Sequence, residues 1–401
     1  MMSLELSERF QAISPSPTLS IDAKTKALAA SGVEIVNLSV GEPDFATPDQ
    51  ASLAGIAAIV GNFTKYTPVP GILDLRAAIA KKLYDENQLT YKPEEIIVSS
   101  GAKHSLYNIF MAILNPGDEV LLPAPYWVSY PEQIRLAQGV PVILPTDEAT
   151  GFKITPEQVE KAITNKTKAI LLNSPSNPTG AVYTKAEIEA LAAVIERHEI
   201  FVISDEIYER MTYGTEHVSI ATYSENLRNK TFVVNGFSKA FAMTGWRVGY
   251  VAAPQYLVSA MTSFQSHTTS NPASISQKAA LAALGAFDPE KIKIFQARRD
   301  FVLENLRRLP GISVAKPDGA FYIFPNAAKW LGLTYTMKDG SQVKLDSVDT
   351  ICELLLTDVF VSVVPGSGFG APHNFRISYA TSMPQLQKAM DRFAEFADRL
   401  N

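Results

Sequence analysis

The sequence predicts an α/β fold: a mostly parallel, seven-stranded sheet in a large domain, with a smaller α+β domain beside it. Three observations carry this. Ile-, Val- and Leu-rich runs recur through the middle of the chain without polar alternation, as strands buried on both faces do. Helical stretches lie between several of them, and strands joined through helices imply parallel crossovers. The ends read differently, with a long helix and then scattered strand-like runs.

In chain order the sheet strands fall at Glu95–Ser99, Glu119–Leu122, Val140–Leu144, Lys168–Leu172, Phe201–Ser204, Thr231–Val234 and Val248–Ala252. Thr155-Pro156-Glu157 combines a cap, a proline at the first helical position and an acidic first turn. Thr184 and Glu187 form a capping box that opens a helix to about Arg197. Asp288-Pro289 opens a helix to about Leu309, long enough to be a spine between domains. Ala320–Phe324, Val359–Val364 and Asn374–Ala380 read as strands. A final helix starts near Ser382-Met383-Pro384, with Leu386, Met390, Phe393, Ala397 and Leu400 on one apolar face. The expected division is an N-terminal arm at 1–14, a large domain at 48–290, and a small domain built from 15–47 and 291–401.

The chain has 401 residues, enough for two or three domains and a large core. Apolar residues make up 46% and charged residues 19%, an ordinary globular balance. A net charge of −5 gives no argument for nucleic acid or an anionic membrane. Cys352 is the one cysteine, which excludes a disulfide framework and a Cys-based zinc site and fits a reducing compartment. The first ten residues lack the apolar core of a signal peptide. No apolar run approaches the ~20 residues that span a bilayer. The reading is a soluble, cytoplasmic protein.

The most informative stretch is Ser238-Lys239-Ala-Phe-Ala-Met-Thr-Gly245-Trp-Arg247-Val-Gly249-Tyr, after a buried-looking strand. A lysine in a dry setting becomes a neutral amine and can form a Schiff base with an aldehyde cofactor. Arg247 is placed to clamp a phosphate. A lone lysine at a strand end is otherwise a solvated charge. Asp205 ends the run Phe-Val-Ile-Ser-Asp, at the edge where open α/β sheets bind ligands. It can hold a pyridine nitrogen protonated, or serve as a helix cap. Tyr208 follows within reach of the same ligand.

Asn173-Ser-Pro-Ser-Asn177-Pro178-Thr-Gly180 is a fixed loop at that edge; Asn177 donates to a ring oxygen or only braces the turn. Ser99-Ser100-Gly101-Ala102-Lys103 opens a helix whose N–H groups can hold a phosphate, unless Lys103 is a plain surface charge. Trp127 stacks on a planar ring or packs in the core. Arg376, inside Phe375-Arg-Ile-Ser-Tyr379, clamps a substrate carboxylate or forms a structural salt bridge.

Gly366-Ser-Gly368-Phe-Gly-Ala371 fits a dinucleotide fingerprint, but Pro372-His-Asn leads into a strand where a helix is required. The five histidines show no metal-ligand spacing, so no metal is expected. There is no nucleophile elbow and no Walker loop.

Together these motifs resemble the class I pyridoxal 5′-phosphate-dependent aminotransferases, enzymes of fold type I, from Ser16 to about Ala397. Within that family the chain is most similar to the bacterial aspartate aminotransferases, through Pro-Tyr-Trp-Val-Ser-Tyr-Pro and Phe-Ala-Met-Thr-Gly-Trp-Arg. The resemblance implies that Lys239 carries the internal aldimine and moves a proton. It implies that Asp205 pairs with the ring nitrogen, and that Tyr208 and Asn177 bond the ring oxygen. Trp127 would stack on the ring. Gly101, Ala102, Lys103, Ser238 and Arg247 would surround the phosphate, and Tyr66 would reach the phosphate of a neighbouring subunit in a homodimer. Arg376 would bind the substrate α-carboxylate with help from Gly41.

In the similar subgroup a lysine at the Lys103 position contacts the distal carboxylate, and the Pro15-Ser16-Pro17-Thr18 segment helps close the site. The implied reaction is ping-pong transfer from L-aspartate to 2-oxoglutarate. Alternatives are an aromatic, alanine or prephenate donor, β-lyase or decarboxylase chemistry, and a non-catalytic regulator. There are two departures. Prephenate-using relatives carry a lysine where this chain has Ser14, and a phosphate-binding serine of many relatives is Gly236 here.

Overall fold

The computed structural model describes residues 6–11, 13–15 and 17–401. Most of the expected arm's first half, residue 12 and Ser16 lie outside the described residues. The main sheet has seven strands: β1 Ile96–Ser99, β2 Glu119–Ala124, β3 Val140–Pro145, β4 Thr167–Asn173, β5 Phe201–Asp205, β6 Thr231–Gly236 and β7 Gly249–Ala252. Their spatial order is β1-β7-β6-β5-β4-β2-β3. All neighbours run parallel except β7, which is antiparallel to both β1 and β6.

Central strands read as expected. Ile97, Val120, Ile170, Ile203 and Val234 are wholly buried, each contributing about 1.5–3 kcal/mol of apolar burial. The strand at Val140 corrects the sequence reading. It is the sheet edge, with Val140 and Ile143 exposed, and not a strand covered on both faces. Pro141 and Pro145 fit there because an edge strand has one side without ladder bonds.

The helix Ala102–Ile113 follows β1 directly, and the helix Ser129–Leu136 follows β2. Both expected N-caps form: Thr155 Oγ1 accepts from Gln158 N–H, and Thr184 Oγ1 from Glu187 N–H. The expected spine is the helix Glu290–Arg308, and the last helix is Met383–Ala397. Leu400 lies beyond that helix, bridged to Tyr335.

The C-terminal strands are shorter than the sequence suggests. β8 Tyr322–Ile323, β9 Val364–Pro365 and β10 Phe375–Ser378 form a sheet in the order β9-β10-β8. The run Val359–Val364 splits: Val361–Ser362 pairs in parallel with Val36–Asn37, and only Val364 continues into β9. A hairpin at Thr334–Thr336 and Gln342–Lys344 and a helix at Val348–Thr357 complete this part. Its core also takes in Val36, Leu38, Ile207, Tyr208 and Met211. Arg298 on the spine holds Asp44 through two bonds of 2.7 and 2.9 Å, which anchors the segment after Gly41. The glycine run at 366–370 is a short 3-10 turn between β9 and β10, with no helix after it. Among the described residues no helix is long and apolar enough to cross a membrane.

Candidate active site

A cleft of about 360 Å³ opens at the carboxyl ends of the parallel strands. It is lined by Thr18, Gly41, Lys103, Trp127, Asn177 and Asp205, and further by Tyr208, Ser238, Lys239, Arg247 and Arg376. Ala102 also faces it.

The seat at the head of the helix Ala102–Ile113 is built by close backbone approach. A Cβ on Gly101 would come within 2.6 Å of the Arg247 guanidinium, and one on Gly249 within 2.3 Å of Ala102 N. Gly101 has φ +88°, which glycine adopts without strain. Its N–H donates to the Ser99 carbonyl at 2.7 Å. The expectation that Gly101 offers its amide is therefore corrected: its contribution is the missing side chain. Among the described residues the Ala102 and Lys103 amides have no acceptor. Arg247 Nη1 donates to the Thr244 carbonyl at 2.9 Å and its Nη2 to the Ser100 carbonyl at a longer 3.4 Å, which sets the guanidinium beside the helix start. Free helix-end amides beside a guanidinium make an anion seat.

Asp205 ends β5 and is 3% exposed. Its Oδ2 accepts from Tyr130 O–H at 2.7 Å and its Oδ1 from Ile207 N–H at 3.2 Å. Burial pushes its carboxyl up to about 6, and the Tyr130 bond works against that rise. Tyr130→Phe is therefore expected to push Asp205 further up. The acid limb of the rate profile should move up by about one pH unit, the worth of one such bond. An unmoved limb in a pH-rate measurement would mean that Tyr130 only packs.

The residues at the end of β5 and just beyond it divide between two environments. Asp205 and Tyr208 face the cleft, while Glu206 and Glu209 face a buried polar cluster. Glu206 accepts from Ser204 and Ser219 at 2.8 and 2.6 Å and meets His217 at 3.1 Å. Glu209 pairs with Lys82 and accepts from Asn87 at 2.7 Å. Burial pushes the Glu209 carboxyl up, but Lys82, His217 and Asn87 outweigh it and hold the group at about 2.

Lys239 Nζ donates to the Gly41 carbonyl and lies 5.7 Å from the ring centres of Tyr208 and Phe321. Burial, then the nearby Arg376 charge, pull its pKa down to about 8. The neutral amine is thus far more accessible near neutral pH than for a solvated lysine, although the charged form still predominates there. Gly236 has no room for the serine of other relatives: a Cβ there would meet Gly249 Cα at 2.9 Å.

Arg376 on β10 is 2% exposed. Its Nη1 donates to Asn177 Oδ1 at 3.0 Å and its Nη2 to the Ser39 carbonyl at 2.7 Å. Its Nε is buried without a partner. Among the described residues no carboxylate pairs with it, which removes the structural salt bridge as its explanation. A buried guanidinium without a counter-ion is costly unless a ligand supplies one. Because Asn177 gives its oxygen to Arg376, its side-chain N–H₂ is the group left to donate into the cleft.

Lys103 Nζ sits 4.9 Å over the Trp127 ring, whose edge meets Tyr130 at 5.3 Å. Burial and then Arg247 lower the Lys103 pKa. Tyr66 is 91% exposed and lies apart from this cleft, beside Thr269 and Asn271. Ser16 lies outside the described residues, while Thr18 reaches the cleft.

The family described as "Aminotransferase class I and II" matches residues 33–393. The chain belongs to the class I and II aminotransferases. It is 47% identical to an aspartate aminotransferase of Bacillus subtilis (strain 168), over 99% of this chain and 100% of that protein. It is 44% identical to an aspartate/prephenate aminotransferase of Cereibacter sphaeroides, over 99% of each. The solved aspartate aminotransferase of Rhizobium meliloti superposes with a TM-score of 0.94 at 42% identity, covering both chains fully. That of Thermus thermophilus with maleate gives 0.91 at 42%, over 98% of this chain and 100% of that one.

Aminotransferases of this class use pyridoxal 5′-phosphate, and this cleft fits it. An anion seat, a buried carboxylate and an amine of lowered pKa stand in one cavity. Sequence reasoning missed Tyr130 and Tyr322. Tyr130 stands three residues after Trp127 and Tyr322 lies in a run already read as a strand, and both read from sequence as core aromatics.

Proposed function

We propose that this aminotransferase is an aspartate aminotransferase, moving the amino group of L-aspartate to 2-oxoglutarate by a ping-pong route. The single observation that carries this is the pairing of cations in one cleft: Arg376, buried with no carboxylate partner among the described residues, and Lys103, held over Trp127 at the cleft wall. A substrate with two carboxylates satisfies both. Arg376 takes the α-carboxylate in a two-pronged contact, and Lys103 takes the distal one.

When bound, the cofactor supplies an aldehyde and a ring that accepts the electrons of the substrate Cα–H bond. Ala102, Lys103, Ser238 and Arg247 would hold its phosphate. Asp205 would keep its ring nitrogen protonated, and the Tyr208 O–H and the Asn177 amide would donate to its ring oxygen. Trp127 would pack on the ring. Lys239 Nζ is the amine that would hold the cofactor aldehyde, with loss of water, and that would serve as the base for the proton on the substrate Cα. Gly41 lies against Lys239 and supports the α-carboxylate end.

The proposal includes a large domain at 48–290, a small domain from 15–47 and 291–401, and a cytoplasmic homodimer in which Tyr66 completes the neighbour's phosphate seat. The exposure of Tyr66 supports the last point, as do Leu53, Ile56 and Val60 exposed on one helix. A second reading is prephenate use, favoured by the name of the Cereibacter relative. Ser14, which stands where prephenate-using relatives carry lysine, supports the first reading.

The test is spectral. The cofactor-loaded protein is mixed with L-aspartate, L-glutamate, L-alanine, L-phenylalanine and L-arogenate in turn. Rapid conversion of its visible band by the first two alone is expected; faster conversion by an aromatic donor or arogenate would overturn the substrate assignment. Lys103→Ala should weaken dicarboxylate donors about tenfold or more, the worth of one charge-assisted hydrogen bond. Alanine should be spared, and an equal loss with alanine would remove Lys103 from the distal seat.

A further inference from the structure

We propose that Tyr322 is a positioning residue that ties the carboxylate seat at Arg376 to the phenol of Tyr208. It does so by donating its own hydroxyl proton to the Tyr208 oxygen. The inference rests on the proposed reading of the site.

The register explains the contact with Arg376. Tyr322 on β8 pairs with Ser378 on β10, and Ser378 and Arg376 share one face of β10. Diagonal neighbours on one face of an antiparallel pair are within reach of long side chains. The Arg376 guanidinium carbon indeed lies 4.6 Å from the Tyr322 ring centre. At the other end, the Tyr322 hydroxyl is 2.9 Å from the Tyr208 hydroxyl, with both rings almost wholly buried.

Gly41 makes the arrangement possible. A Cβ there would come within 2.9 Å of the Tyr322 hydroxyl, so only glycine lets this phenol rest against the segment whose carbonyl receives Lys239. Tyr322 thus touches Arg376, Tyr208 and the Gly41 backbone.

Two phenols in contact share one hydrogen bond, and its direction decides what Tyr208 can do. If Tyr322 donates, the Tyr208 proton is free to point at an oxygen in the cleft. A hydrogen bond received by Tyr208 also polarises its O–H and makes it a better donor. A better donor favours the anionic form of the oxygen it meets. Movement of Arg376 onto a carboxylate shifts the ring it rests on, and with it this hydroxyl.

The test is a pH titration of the visible band of the cofactor-loaded protein, for wild type and Tyr322→Phe. The Phe variant keeps the ring and the strand pairing and loses only the hydroxyl. Its band midpoint should rise by about 0.5 pH unit or more, the worth of one neutral hydrogen bond. The further rise produced by saturating succinate, an unreactive dicarboxylate, should fall to about half of its wild-type size. In a Tyr208→Phe background the Tyr322→Phe change should have no effect on the midpoint.

An unchanged or lowered midpoint, or an undiminished change in the Tyr208→Phe background, overturns the inference, even if the melting temperature falls. Should Tyr322→Phe fold poorly, Gly41→Ala displaces the same hydroxyl and should raise the midpoint likewise; no rise there overturns the inference. A wild type with no visible band after loading would instead sink the proposed function, and this inference with it.

Discussion

Replacing Lys239 by alanine is expected to lower the turnover rate by about four orders of magnitude or more. Proton transfer by a positioned base alone contributes up to about 10⁴-fold, and covalent attachment adds to that. The alanine variant still has the Ala102 and Lys103 amides and Arg247, so it should bind cofactor phosphate. It should lack the visible band, because among the described residues no other amine rests against the Gly41 carbonyl and the Tyr208 ring. Full activity in Lys239→Ala would sink the assignment of this amine. So would an intact band, which would place the linkage on another lysine.

The second large effect belongs to Arg376. Arg376→Ala should reduce kcat/KM for every amino-acid donor by about 10²–10³-fold. That is the range for removing one partner of a buried, hydrogen-bonded charge pair. Arg376→Lys should recover little, since an ammonium cannot reproduce the planar fork that reaches Asn177 and Ser39 while gripping a carboxylate. Uniformity is the decisive feature. The α-carboxylate is common to aspartate, alanine and phenylalanine, so all three should suffer alike in steady-state assays. A loss confined to dicarboxylates would exchange the roles given to Arg376 and Lys103.

Much of this arrangement was legible in the residues. The central strands betray themselves because nothing polar interrupts them, and Asp205, Asn177 and Lys103 stand where buried runs end. Val140–Pro145 misled because an edge strand can carry the same aliphatic residues while one side meets solvent. The C-terminal strands misled because two or three residues of pairing leave almost no periodicity to read. Tyr130 and Tyr322 were not legible as site residues, since a tyrosine in an apolar run looks like core. Only the fold brings Tyr130 onto Asp205, 75 residues away in the chain, and Tyr322 onto Tyr208, 114 away. The missing counter-ion of Arg376 is likewise invisible in sequence, because it depends on every neighbour at once.

The antiparallel return of β7 has a consequence for how the protein comes into being. The anion seat is a joint between the first strand of the sheet and the last. Ser100 and Arg247 meet across 147 residues, and Gly249 presses on Ala102. A nascent chain that ends before Arg247 can hold most of the parallel strands and still lack the seat. Contacts of such long range form late, after the loop entropy between them has been overcome. Cofactor capture therefore reports that the sheet has closed: an incompletely synthesised or truncated chain stays colourless, and loading with cofactor marks finished molecules.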